Sequence, residues 1–301
     1  MTSPRYPWMP LAAVATTLLF WSSAFVAIRH LGHDFSPGAL SLGRLLVGSV
    51  ALGAVLFTRG RPRRPAGRDW PGLVTIGVLW FGVYNVALND AERRIDAGTA
   101  SMLIQVSPIL IAVLAAVFLS ERPTRWLALG LVLAFSGVGL IGLSTSPGGH
   151  RDLLGVLLCV LSAAAYAVSM IVQKPLLGRL TALQVTWTAC TVGALVCLPF
   201  AGSLAHDLAA APASDVWWLV YLGLFPTAVA FTTFAYALSH MNASSLGVTT
   251  YLVPPITVLM GWLFLAETPP TLAYVGGVLC LIGVGVARRR PRARVRAEAT
   301  A

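Results

Sequence analysis

The sequence predicts an all-α integral membrane protein, with ten transmembrane helices arranged as two inverted five-helix repeats. Three observations carry that reading. First, the 301 residues are 57% hydrophobic and only 11% charged, against about 25% charged in a soluble domain; mean hydropathy is +0.78. Second, the apolar residues fall into ten runs of the length that crosses a hydrocarbon core of about 30 Å. Third, the later part of the chain repeats the earlier part at a fixed offset of 146 residues. So little charge cannot solvate a globular surface, which excludes a soluble enzyme, a disordered protein and a secreted disulfide scaffold. A net charge of +10 in a soluble protein would suggest nucleic acid. In a membrane protein basic residues report orientation instead, so no nucleic-acid partner is expected.

The runs justify themselves in order. Run 8–28 is too long for a signal peptide and lacks a small-residue cleavage site; it carries Trp21. Run 38–58 contains Arg44, the one clear charge inside a span. Run 70–89 brings Trp80, Tyr84 and Asn85 to midplane depth, and residues four apart such as Trp80 and Tyr84 share a helix face. Run 97–119 offers Gln105 and Ser107 ahead of Pro108, and run 125–143 places Gly130 and Gly137 on one face. Run 153–173 holds Tyr166, and run 181–200 holds Cys190 and Cys197, read with Cys159 and Cys280 as small packing residues. Run 216–238 supplies Thr232 and Tyr236, and run 243–265 supplies Thr250 and Tyr251 before Pro254. Run 271–287 repeats the glycine spacing at Gly276 and Gly283, and a basic cytoplasmic tail follows at 288–301. Glycines spaced this way allow close packing against neighbouring helices or a second subunit, so a homodimer is open.

Orientation follows from the basic residues. With the N-terminus inside, cytoplasmic segments hold 16 of the 21 Lys and Arg residues, outside loops hold four, and Arg44 sits within a span. Both termini are therefore placed in the cytoplasm. Arginine outnumbers lysine twenty to one, which hints at a GC-rich genome and a bacterial plasma membrane.

The repeat aligns 70–140 with 216–286 without a gap. Identities include Gly77/Gly223, Pro108/Pro254, Glu121/Glu267 and Pro123/Pro269, and the run Phe-Leu-x-Glu-x-Pro occurs at Phe118–Pro123 and again at Phe264–Pro269. Copies five helices apart face opposite ways, the architecture of many secondary carriers. The expected division is one repeat over 1–145 and a second over 146–287.

On these residues the chain resembles the EamA-like ten-helix carriers of the drug/metabolite transporter superfamily. The resemblance rests on Phe20-Trp21-Ser22-Ser23-Ala24-Phe25, on Ser36-Pro37 followed by Arg44, and on the two Phe-Leu-x-Glu-x-Pro runs with their trailing glycines. It implies a basket of two five-helix halves around a central cavity lined by the first, third, fourth, sixth, eighth and ninth helices. It also implies export or exchange of small metabolites.

Motifs for other chemistries are missing from the sequence. There is no phosphate-binding G-x-x-x-x-G-K-[ST], which argues against a primary pump, and no H-E-x-x-H or G-x-S-x-G, which argues against an enzyme. No metal or cofactor is expected. Burying Arg44 costs at least about 2.5–3.5 kcal/mol, so it needs a partner: an anionic substrate group, backbone carbonyls, or an outside acid such as Asp34 or Asp90. No acid falls within the middle of a run; Asp90, Glu92 and Asp96 sit past the third run, as a vestibule or a solvated loop. Glu121 and Glu267 each follow an apolar run and precede Pro, a placement suited to bonding backbone N–H groups at a helix junction. The candidate cavity is therefore Trp21, Arg44, Trp80, Tyr84, Asn85, Gln105, Ser107, Tyr166, Thr232, Tyr236, Thr250 and Tyr251, with Pro108, Glu121, Pro254 and Glu267 structural. Aromatic walls with neutral hydrogen-bonding groups suit amino acids or similar small solutes, which points to export by alternating access. Uptake, drug efflux, and a non-transporting membrane scaffold are the alternatives.

Overall fold

The structure is a computed structural model that describes residues 8–60, 62, 64–94, 100, 103–145, 153–265 and 271–287. Among these every regular element is helical, with no strand. Helix α1 (Met9–Leu31) opens with Pro10, whose missing N–H costs nothing in a first turn. Helix α2 (Pro37–Thr58) opens the same way. The Ser36 backbone N–H and Oγ ahead of α2 both donate to Asp207 Oδ2, at 2.9 and 3.0 Å. Helix α3 (Gly67–Arg94) changes its winding midway, through a π-helical stretch at Gly77–Val83. Helices α4 (Ser107–Phe118), α5 (Arg125–Thr145) and α6 (Leu153–Leu176) follow. Helix α7 (Ala182–Val196) is capped by Thr181 Oγ1, which accepts from the Gln184 N–H. It stops before Pro199, which cannot continue a helix, and α8 (Ala201–Ala210) leaves at 54°. Helix α9 (Ala213–His240) carries a second π-helical stretch, Gly223–Val229. Helices α10 (Ala243–Thr249) and α11 (Val253–Leu265) are separated by a single tight turn, Thr250–Leu252, and α12 (Thr271–Ala287) ends the described chain.

Five of these helices, α1, α2, α3, α6 and α9, are long and apolar enough to cross a membrane, and the bent pair α7–α8 would make a sixth. Where the sequence predicts unbroken spans at 97–119 and 243–265, the helices are interrupted, at Gln105-Val106 and at Thr250–Leu252. The third span also runs on to Arg94 instead of ending at 89. At the predicted end the chain stays helical because Asn89 faces inward: its Nδ2 donates to Ser41 Oγ at 3.0 Å and to Pro37 O at 3.3 Å. Val50, Val117, Phe118, Leu153 and Leu281 are all more than half exposed. Apolar side chains on the outside and polar ones within suit a lipid surround.

The 146-residue repeat reappears in the winding. The two π-helical stretches start at Gly77 and at Gly223 and have equal length. A Cβ on Gly77 would lie 2.5 Å from the Val192 Cβ of α7, and one on Gly223 would lie 2.5 Å from the Val47 Cβ of α2. Each glycine thus lets its helix approach one from the other half. The same holds elsewhere: α1 packs on α9 and α11, α6 on α3 and α4, α2 on α7, and α5 on α12. The α5–α12 seam is the closest. A Cβ on Gly130 would meet Gly283 O at 2.6 Å, and one on Gly137 would meet Gly276 O at 2.6 Å. The glycine faces are therefore covered within the chain.

Charged residues tie the helix ends. Glu121 accepts from the Ala243 N–H at 2.7 Å, the Ser244 N–H at 3.1 Å and Ser244 Oγ at 2.7 Å, at the start of α10. Lys174 donates to Leu238 O and Met241 O at the end of α9. Opposite charges thus meet the matching ends of two helix dipoles. Arg179 donates to Asp69 Oδ1 at 2.8 Å. At the opposite end, His30 Nε2 lies 3.2 Å from Asp215 Oδ1. A hydrogen bond with Asp215, then partial desolvation and the repulsion of that second carboxylate, raises the Asp34 carboxyl above its usual range. Glu267 and Asp96 lie outside the described residues.

Candidate functional site

A cavity lies where the two halves meet. Its wall takes Trp21, Ala24, Phe25 and Ile28 from α1, Arg44 from α2, Trp80, Tyr84, Asn85 and Leu88 from α3, and Tyr166 from α6. Ile104 and Gln105 enter from the break before α4, Phe231 from α9, and Thr250 and Val253 from the turn between α10 and α11. The volume is about 70 Å³.

Local winding places these groups. A π-helical turn leaves backbone carbonyls without their usual partners. In α3, Asn85 Nδ2 fills the gap by donating to Trp80 O at 3.1 Å and Phe81 O at 2.9 Å. In α9, Thr227 Oγ1 donates to Leu222 O at 2.8 Å, five residues back. That same oxygen accepts from Arg44 Nε at 3.0 Å. Arg44 is 4% exposed and its terminal guanidinium nitrogens have no protein partner among the described residues. The acids expected to pair with it are elsewhere: Asp90 holds Arg94 at 3.3 Å, and Asp34 interacts with Asp215. The two helix breaks touch, since Gln105 Nε2 donates to Thr250 O at 3.3 Å. Ser22 Oγ, one residue from Trp21, donates to Val253 O at 3.2 Å and ties α1 to the same break.

The apolar wall is a ring cluster. Trp21 packs on Phe234 with centroids 4.9 Å apart, on Phe231 at 5.4 Å and on Tyr166 at 6.1 Å. Trp80 packs on Tyr166 at 4.9 Å and on Phe231 at 5.0 Å. Edge-to-face and tilted pairs like these are stabilising beyond the area they bury. Two polar atoms in the cluster have no hydrogen-bond partner among the described residues, Trp21 Nε1 and Tyr166 Oη. The latter lies near the Thr250 side chain without hydrogen-bond geometry. Buried unpaired donors are rare, and at a cavity wall they are available to a ligand.

Eight of the twelve residues singled out in the sequence share this wall: Trp21, Arg44, Trp80, Tyr84, Asn85, Gln105, Tyr166 and Thr250. The other four stand outside it. Ser107 is buried and donates to Ile104 O at the start of α4. Thr232 donates to Ala228 O within its own helix at 2.7 Å. Tyr236 stacks on His240 with centroids 4.4 Å apart. Tyr251 is fully buried in a separate cluster with Leu127, Ala134 and Cys280. Pro108 sits in the first turn of α4 and Pro254 in the first turn of α11, so each restarts a helix after a break. The reading of Glu92 as a vestibule or loop residue also changes. It lies inside α3, and both its carboxylate oxygens are buried without a hydrogen-bond partner among the described residues. Sequence reasoning missed Phe231 and Phe234, because a phenylalanine in an apolar run carries no signal of its own.

Comparison with known proteins agrees with this architecture. The profile of the EamA-like transporter family matches residues 8–143 and again 153–289. A protein of Streptantibioticus cattleyicolor named "Probable terminal-alkyne amino-acid exporter" is 38% identical over 289 residues, covering 96% of each chain. An uncharacterized transporter of Archaeoglobus fulgidus is 32% identical, covering 92% of this chain and 98% of its own. One of Bacillus subtilis is 31% identical, covering 88% and 86%. A crystal structure at 21% identity superposes with a TM-score of 0.77 over 93% of this chain and 96% of that one, which shows the fold. The chain belongs to the EamA-like transporter family.

Proposed function

We propose that this protein is a secondary exporter of amino acids or related small metabolites. It works by alternating access in a bacterial plasma membrane, with both termini in the cytoplasm. In this reading ten spans form two inverted five-helix repeats, 1–145 and 146–287, with 288–301 as a cytoplasmic tail. The observation that carries the proposal is the cavity itself: a buried cation, unpaired donors and aromatic rings converge where broken helices of the two halves touch. Interrupted helices at a repeat interface are how many carriers expose backbone groups to a substrate. A volume of about 70 Å³ is far below the roughly 300–1,000 Å³ of ligand sites, so the described state is a contracted one and the rings must part to admit substrate. The outward direction and the amino-acid class rest on the relative named as an exporter.

The test is counterflow of labelled amino acids in proteoliposomes, with Trp80→Ala, Tyr84→Phe and Gln105→Ala variants alongside the natural sequence. Saturable flux that all three variants reduce supports the proposal. Absence of flux for every amino acid and metabolite offered overturns it.

A further inference from the structure

Glu92 stands near the cavity in surroundings that its own fold does not explain. Both carboxylate oxygens are buried and unpartnered among the described residues. Leaving a carboxylate in that condition is costly unless a cation or donors meet it. Glu92 follows the cavity residues Asn85 and Leu88 at seven- and four-residue spacing on α3, so it continues their face by one turn. The cations whose fields reach it are Arg44 first and then Arg29. Arg44 does not touch it: among the described residues no ion pair joins them, and the Arg44 guanidinium holds only Thr227. The Tyr84 hydroxyl lies within the field of both charges. A buried guanidinium and a buried carboxyl group, each with unused hydrogen-bonding capacity, thus stand near the cavity without touching each other. A molecule carrying an anionic and a cationic group close together would meet both.

We infer that Arg44 and Glu92 form a two-point clamp for zwitterionic α-amino acids, with Arg44 taking the carboxylate and Glu92 the ammonium group. The clamp rests on the export reading above and narrows it to solutes that carry both groups. Tyr84 lines the same cavity as Arg44, and the Trp21–Trp80 ring cluster receives an apolar side chain.

The test uses the full-length protein in detergent and in proteoliposomes with three probes: propargylglycine, its N-acetyl derivative, which lacks the ammonium group, and its methyl ester, which lacks the carboxylate. The natural protein is expected to bind and exchange the free amino acid at least about tenfold better than either derivative, the worth of one charge-assisted hydrogen bond. Glu92→Gln is expected to lose that preference over the N-acetyl derivative while keeping it over the ester. Arg44→Gln is expected to do the reverse. Glu92→Asp should retain part of the preference, and Glu92→Gln should melt at or above the natural protein because a buried carboxyl without a partner is gone, so a folding defect is distinguishable from lost recognition. Equal handling of all three probes by the natural protein overturns the clamp and leaves export of other solutes standing. Probe-selective binding without flux of any solute supports the clamp and overturns the export reading.

Discussion

At the scale of single residues, Arg44 is the pivot of the site. One of its five N–H donors is spent on Thr227, whose hydroxyl is itself committed to Leu222 O. Arg44→Gln is expected to reduce flux at least about tenfold with little change in the amount of protein in the membrane, because a guanidinium bond to a charged group is worth about 1.5–3 kcal/mol. Loss of the protein itself in an expression assay would mark Arg44 as structural instead. Thr227→Val keeps the shape and removes the acceptor, so Arg44 loses its anchor and a Leu222 carbonyl loses its donor. The expected cost is about 1–3 kcal/mol in a thermal or denaturant melt, with an accompanying rise in KM as the guanidinium loses its fixed position.

At the scale of elements, the π-helical stretches explain both what the sequence reveals and what it conceals. Trp80, Tyr84 and Asn85 are legible because aromatic and amide groups stand out inside an apolar run, and α3 does carry them to one wall. Thr232 and Tyr236 stand out as clearly, yet they miss the cavity. Extrapolating a 3.6-residue period through Gly223–Val229 gives the wrong face, since a π turn adds a residue and rotates the rest of the helix. Thr250 and Tyr251 diverge because they sit in a tight turn between helices, where neighbours point to different sides. Glu92 is hidden because hydropathy drops at Asn89, while the helix continues on hydrogen bonds to α2. The glycines on one face of α5 are visible by spacing, and their partner on α12 is not. Substitutions there separate packing from propensity. Gly137→Ala would push a methyl to 2.6 Å from Gly276 O and is expected to cost about 1–3 kcal/mol. Gly139→Ala meets nothing within 4 Å and is expected to gain about 0.5–1 kcal/mol from helix propensity. Melting temperatures of the two variants moving in opposite directions would check the assignment.

At the scale of the whole molecule, sequence and structure divide the chain differently. The duplication suggests two units, but the main packing partner of nearly every helix belongs to the other half. Neither half then has a core to itself. Residues 1–145 and 146–301 expressed separately are each expected to be degraded or aggregated, and to recover ligand binding only when co-expressed. Protease resistance of either half alone would contradict that expectation. The Glu121 and Lys174 clamps act at the same scale, since residues from before and after the midpoint hold the single junction between α9 and α10. The α5–α12 seam has one more consequence, which concerns time. Helix α5 is complete at Thr145, and its closest neighbour is not complete until Ala287. At about 5–20 residues per second, the glycine face of α5 waits about seven to thirty seconds for its partner while the rest of the protein is made. A newborn chain therefore passes through a stage in which α5 is made and the groove of its glycine face has no partner yet.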